Sequence, residues 1–127
     1  MRILPHVTDP DERSRLLDEI RVAALTTSRH KLGENHSLCH GDLGNLDFLL
    51  QAGVSLGDGI LERKVHEQVL EVIRTFERTG WRCGLGLVQG VTPYQEMPGL
   101  MAGLAGIGYG LLRFVDPILV TPVLALQ

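Results

Sequence analysis

Two stretches of this chain, residues 43–53 and 98–112, are apolar on nearly every side and rich in glycine, and each follows a stretch that is apolar along one stripe only. A helix apolar all round has to be buried, whereas a helix with a single apolar stripe lies at the surface with its charged side in water. The alternation therefore predicts helices in the order outer, inner, outer, inner, and an all-α fold made of helical hairpins in two layers.

Local signals mark the helices. Asp9-Pro10-Asp11-Glu12 predicts a helix start, with Asp9 as cap, Pro10 at the first helical position and Glu12 able to reach back as in a capping box. Leu16, Leu17, Ile20 and Ala24 follow at helical spacing, and Gly33 closes this helix or the loop behind it. Leu43, Leu46, Phe48, Leu49 and Leu50 form a second helix that Ala52-Gly53 is expected to end. Leu61, Val65, Val69, Val72, Ile73 and Phe76 stripe a third, opposite Glu62, Arg63, Glu67, Glu71, Arg74 and Arg78, and Gly80 stops it. Pro98 is expected to open a fourth that ends near Asp116-Pro117. Residues 80–98 read as a long Gly- and Pro-rich loop, of the kind often packed over a site. The apolar tail, 118–126, reads as a short strand or a packed extension.

The two apolar stretches also align with each other. Residues 38–50 match 100–112 at an offset of 62, with identities at Leu38/Leu100, Gly41/Gly103, Gly44/Gly106, Leu49/Leu111 and Leu50/Leu112. The second copy has Met101-Ala102 where the first has Cys39-His40. The shared part reads as scaffold and the Cys-His pair as an addition to it.

Composition narrows the function classes. A length of 127 residues suits one domain spanning 1–127, and 44% apolar with 21% charged residues is globular rather than disordered. A net charge of −3 with acids and bases interleaved offers no basic face for nucleic acid. The uncharged run 98–112 falls short of the roughly 20 residues that span a bilayer, so it reads as a buried helix and not a membrane segment. Two cysteines, Cys39 and Cys83, without a secretory signal point to a reducing cytoplasm and to thiol chemistry rather than a disulfide scaffold.

Cys39-His40 joins the two side chains zinc prefers, and Gly41 supplies the irregular backbone that lets neighbours face one ion. Further ligands could come from His36, His30 or Cys83, none at a recognised finger spacing. Other readings stand beside this one. Cys39 could be a buried thiol beside a capping or surface histidine, or a nucleophile served by His40 and Asp42, although no oxyanion device or third triad member is evident. Asp42 and Asp47 read as local caps or pairs, Trp81 and Cys83 as a loop anchor with a buried thiol, and Tyr109 as core. Tyr94 and Glu96 sit in the long loop, where they could face a cavity.

Asn-His-Ser-Leu-Cys-His-Gly-Asp-Leu-Gly-Asn-Leu-Asp (35–47) resembles the Cys-His-Gly motif of the lanthionine synthetase C-like cyclases, most closely the C-terminal cyclase domain of type 2 lanthipeptide synthetases. Gly80-Trp81-Arg82-Cys83-Gly84 resembles the loop that follows in those enzymes, and 98–113 their final inner helix, so the resemblance runs from about residue 10 to the C-terminus. It implies an α/α toroid, agreeing with the outer-inner alternation. It also implies a zinc ion held by two cysteines and a histidine, which binds a cysteine thiol of a precursor peptide. The thiolate then adds to dehydroalanine or dehydrobutyrine to close a thioether ring. Cys39 and His40 carry over as two of the metal ligands; no catalytic residue and no further cofactor site carries over.

The family's other zinc cysteine lies in a Trp-Cys motif about one hairpin upstream, which here falls near residues 1–5, where there is no cysteine. The expectation is thus the C-terminal part of a cyclase domain, about two hairpins of a larger ring, with an incomplete metal site. Enzyme activity attaches to the family, and the partner is a precursor peptide. From another class comes a non-catalytic helical module that associates with a complementary segment or a second copy through apolar flanks. A different α/α toroid, of the glycosidase kind, would need a pair of pocket carboxylates, and none stands out.

Overall fold

The computed structural model describes residues 4–84 and 96–123. After a single 3-10 turn, Leu4–His6, come α1 (Pro10–Thr27), α2 (Asp42–Leu56), α3 (Gly59–Thr79) and α4 (Leu104–Val115). The described residues contain no strand, so the all-α expectation holds.

Helix α1 begins where its sequence says. The Asp9 carboxylate accepts the N–H groups of Asp11 and Glu12, at 2.8 and 3.3 Å, with Pro10 at the first helical position. Glu12 joins the cap through its backbone rather than by reaching back. Gly33 lies in the loop behind α1, at φ 101°. Helix α3 buries Val65, Val69 and Val72 and leaves Arg63, Glu67, Glu71, Arg74 and Arg78 exposed, the division a single apolar stripe requires.

Helix α2 is the centre of the molecule. It packs against α1, α3 and α4, and Val54 is its only exposed residue. Its predicted end at Gly53 is too early. A Cβ at Gly53 would stand 2.7 Å from Glu62 Cγ, so this glycine serves the close approach of α3, and the chain reverses at Gly57 in the left-handed region, φ 65°.

Helix α4 corrects two expectations. It starts at Leu104 rather than Pro98, because residues 97–103 form a turn. It is also buried on one side only. Gly106, Ile107, Gly110, Arg113 and Phe114 face the core, where Gly110 lets Leu43 of α2 come close, while Ala105, Gly108, Leu112 and Val115 are exposed. Their counterparts 62 positions earlier in α2, Leu43, Leu46, Leu50 and Gly53, are all buried. The outer-inner pattern thus holds fully for α2 and by half for α4.

The C-terminal segment is a packed extension only in part: Pro122 is buried and Val123 packs against the core, while Ile118 and Leu119 are exposed, and residues 124–126 of the predicted tail lie outside the described residues. Arg113 donates to the carbonyls of Pro117 and Val120, and the Tyr109 hydroxyl donates to Thr121 O at 2.6 Å. No helix among the described residues is long and apolar enough to cross a membrane.

Candidate functional site

The Cys-His pair sits at the tip of a closed turn that leads into α2. The Asn35 carbonyl accepts the Asp42 N–H at 2.7 Å, and Asn35 Oδ1 accepts the Ser37 N–H at 2.9 Å. Gly41 caps the helix, and a Cβ there would lie 2.5 Å from both Asn35 O and Ser37 N. Only glycine lets the chain fold back on itself this tightly. Leu38 is consequently drawn into the core, while Cys39 and His40 stand exposed.

The same turn is built again before α4. Leu104 N–H donates to Met97 O at 2.6 Å, Gly103 is the cap, and its absent Cβ would run into Met97 O and the Gly99 backbone. Each of these residues is 62 positions from its counterpart, and the two caps share one conformation, φ/ψ −114/−169° at Gly41 and −127/−167° at Gly103. The weak sequence repeat is therefore a structural one. Its halves meet where Cys39 N–H donates to Met101 O at 2.9 Å.

Residues 81–84 run between the two turns. Gly84 N–H donates to Ala102 O at 2.7 Å, and Gly84 O lies 2.8 Å from His40 Nε2. A carbonyl only accepts, so Nε2 carries the proton, and Nδ1 of the neutral ring has no hydrogen-bond partner among the described residues. A side chain at Gly84 would strike the His40 ring, 2.9 Å from Cε1.

Beneath the tip is a polar cluster. His36, Ser37 and Asp42 are fully buried. His36 Nδ1 accepts the Arg82 N–H at 3.0 Å, its ring meets Trp81 edge-on at 5.6 Å, and Trp81 stacks on Phe76 of α3 at 4.1 Å. Asp42 Oδ2 accepts the Gly33 N–H at 2.9 Å and lies 3.9 Å from His36 Nε2. His36 Nε2, Ser37 Oγ and Asp42 Oδ1 have no hydrogen-bond partner among the described residues. Burial, followed by the Arg82 charge, holds the His36 pKa below its ordinary value. Burial pushes the Asp42 pKa up, opposed first by the Gly33 hydrogen bond and then by the charges of His30 and Arg82.

Of the proposed ligands, Cys39 and His40 are exposed side by side, and His30 is exposed in the turn that follows α1. Cys83 is buried and His36 is committed to Arg82. No group of three His, Cys, Asp or Glu side chains poised for a metal occurs among the described residues. Glu96 is exposed, and Tyr94 lies outside the described residues. Trp81 and Cys83 anchor the loop as expected. Asp47 corrects the sequence reading: beside its local bond from Gln51 at 3.1 Å, its main partner is Arg113 of α4, whose Nε donates to Oδ1 at 3.0 Å, both side chains being buried. A lone acid inside the apolar stretch 43–53 and the arginine that directly follows the uncharged run 98–112 were the available signal for that pair.

Residues 11–124 match the family model described as lanthionine synthetase C-like protein. A curated relative, the lacticin 481/lactococcin biosynthesis protein LcnDR2 of Lactococcus lactis subsp. lactis, is 33% identical over 106 residues, which are 82% of this chain. The aligned stretch is 10% of that relative's own length. No solved structure gives a significant match. The family match covers all four helices except Pro10 of α1, and both turns, including the one that carries Cys39 and His40, and the chain accordingly belongs to the lanthionine synthetase C-like family.

Proposed function

We propose that this chain supplies the Cys39-His40 part of a zinc site to a lanthipeptide cyclase, in the cytoplasm, with a dehydrated precursor peptide as substrate. One observation carries the reading. Cys39 and His40 are adjacent and exposed on a turn closed by hydrogen bonds, and His40 is oriented by the Gly84 carbonyl, with no partner at Nδ1 among the described residues. A histidine whose second nitrogen is fixed by a carbonyl is the usual arrangement of a metal-ligating imidazole. A thiolate and an imidazole are the donor types a zinc tetrahedron takes, and since residues 1–3, 85–95 and 124–127 contain no Cys, His, Asp or Glu, the reading assigns the remaining ligands to groups outside this sequence. Bound zinc would favour the thiolate form of a peptide cysteine at neutral pH. The chain's own part is to hold the cation at an exposed rim that a peptide can reach. The ring of helices that the resemblance implies, an α/α toroid, belongs to this proposal too, and α4's exposed face is where a further inner helix would pack.

The test is a titration of the purified protein with zinc, and with cobalt as an optical reporter of thiolate ligation. The wild type is expected to bind with a Cys39-dependent thiolate band, and Cys39→Ala or His40→Ala to weaken binding by about 10-fold or more. A wild type without zinc affinity and without that band would remove the claim.

A second reading, association through an apolar surface, has its own support. Val115 and Ile118 are 82% and 88% exposed, and Ile118 lines an open groove of about 350 Å³ together with Leu50, Val54 and Pro117, whose lining also carries polar side chains including Glu62, His66 and Arg113. Size-exclusion mass across a dilution series separates the readings: a stable, zinc-free monomer would disfavour both.

A further inference from the structure

We infer that the buried His36 is a positioning residue for His40: it fixes the 81–84 segment so that the Gly84 carbonyl selects the Nε2–H form of the exposed imidazole. The inference rests on the proposed role of His40.

The connection is continuous. His36 and Arg82 are bonded twice, once by the His36 N–H to Arg82 O at 2.9 Å and once by the Arg82 N–H to His36 Nδ1 at 3.0 Å. Arg82 also reaches the Gly33 carbonyl with its guanidinium, tying the segment to the start of the same loop. Two residues further on, Gly84 is clamped between Ala102 O, which takes its N–H, and His40 Nε2–H, which it receives. The room at Gly84 is fixed on both sides, since a Cβ there would be 2.7 Å from Ser37 Oγ and 3.1 Å from His40 Nε2. A shift of residues 81–84 by a fraction of an ångström therefore moves the acceptor that orients the imidazole.

His36 is specified for this task. An acceptor at Nδ1 places its ring proton on Nε2, which points toward Asp42 Oδ2 at 3.9 Å. Asp42, in turn, is held by the Gly33 N–H and starts α2. An aromatic hydrocarbon would fill the same space against Trp81 but could not accept from Arg82 N–H. That requirement gives a buried histidine a reason to stand where a core position would ordinarily hold an apolar side chain.

The experiment is long-range 15N–1H correlation of the imidazole nitrogens in the metal-free, labelled chain at fixed neutral pH, with folding followed by circular dichroism. In the wild type, His36 is expected as the Nε2–H tautomer with Nδ1 unprotonated, and His40 likewise as Nε2–H. His36→Leu is expected to shift the His40 tautomer ratio about fivefold toward Nδ1–H, the worth of one neutral hydrogen bond. His36→Asn, whose Oδ1 can replace the Nδ1 acceptor, is expected to retain the wild-type ratio. Asp47→Asn, a buried change on the far side of α2, controls for general loosening and should leave His40 unmoved.

A folded His36→Leu chain with His40 unchanged overturns the inference. If that variant does not fold, the wild-type spectrum still decides, because a proton on His36 Nδ1 would exclude the Arg82 bond on which the inference stands. The measurement needs no metal and no substrate, so a failed zinc titration and a failed tautomer result are separate outcomes.

Discussion

Cys39 donates its backbone N–H to the carbonyl of Met101, and these two residues occupy the same place in two turns 62 residues apart. Each turn is closed by an N–H bond back to a carbonyl seven residues earlier and capped by a glycine with no space for a side chain. One turn carries a thiol and an imidazole; the other carries Met101 and Ala102 and braces the first. The turn that carries the Cys-His pair is thus braced by its own structural repeat.

Glycines at α4 separate close packing from flexibility. Gly103→Ala is expected to cost about 3 kcal/mol, because its methyl meets backbone atoms that cannot yield. Gly108→Ala, in the exposed interior of the helix with no atom within 4 Å, is expected to gain up to about 1 kcal/mol. Urea denaturation of the two variants should give midpoints on opposite sides of the wild type.

The Asp47–Arg113 pair joins the two inner helices through their buried sides. Arg113→Leu is expected to lose about 3–5 kcal/mol, since it strands a buried carboxylate and two carbonyls. Asp47→Leu with Arg113→Leu should recover much of that loss. A double variant no more stable than the single one would show that the carbonyl contacts, rather than the ion pair, carry Arg113's contribution.

Acidification should weaken the fold through His36. Its pKa is held below the ordinary 6.5, so between the folded value and 6.5 the unfolded chain binds more protons than the folded one. Stability from this site is full above 6.5 and is lost as pH falls through that window. Asp42 and Asp47 have raised pKa values and the opposite sign: their effect is a loss of stability as pH rises from 3.8 toward their folded values. Comparing wild type with His36→Asn by denaturation at about pH 7.5 and about pH 5.5 isolates the histidine. The wild type should lose more stability across that interval than the variant.

Cys39 should be nearly silent in folding. Its side chain is exposed, so Cys39→Ser is expected to change stability by less than about 0.5 kcal/mol. His40→Ala removes the bond to Gly84 O and is expected to cost about 1 kcal/mol. Calorimetric melting of the two variants without metal checks both figures.

The helices were legible because their signals are local. Asp9 caps α1, and the valines of α3 recur on one stripe, whatever the rest of the chain does. Misreadings arose where one residue type serves two purposes. Gly53 looks like a helix stop but is a packing glycine, and Pro98 looks like a helix start but lies in the turn that precedes one. Residue chemistry and family resemblance single out Cys39 and His40, and both are exposed at the tip of the turn before α2. The supports of His40 were not legible. Gly84 acts through a carbonyl, and His36 through a bond to Arg82, 46 residues away; neither leaves a pattern in neighbouring residues.

The doubled turn has one more consequence. Its path is dictated by main-chain bonds at positions 35, 37 and 41 and by their counterparts at 97, 99 and 103, none of which uses the side chains at 39–40 or 101–102. The Cys-His dipeptide is therefore an insert in a largely self-supporting bracket. Folding asks little of it, about one hydrogen bond from His40 to the Gly84 carbonyl, so its identity can answer mainly to chemistry.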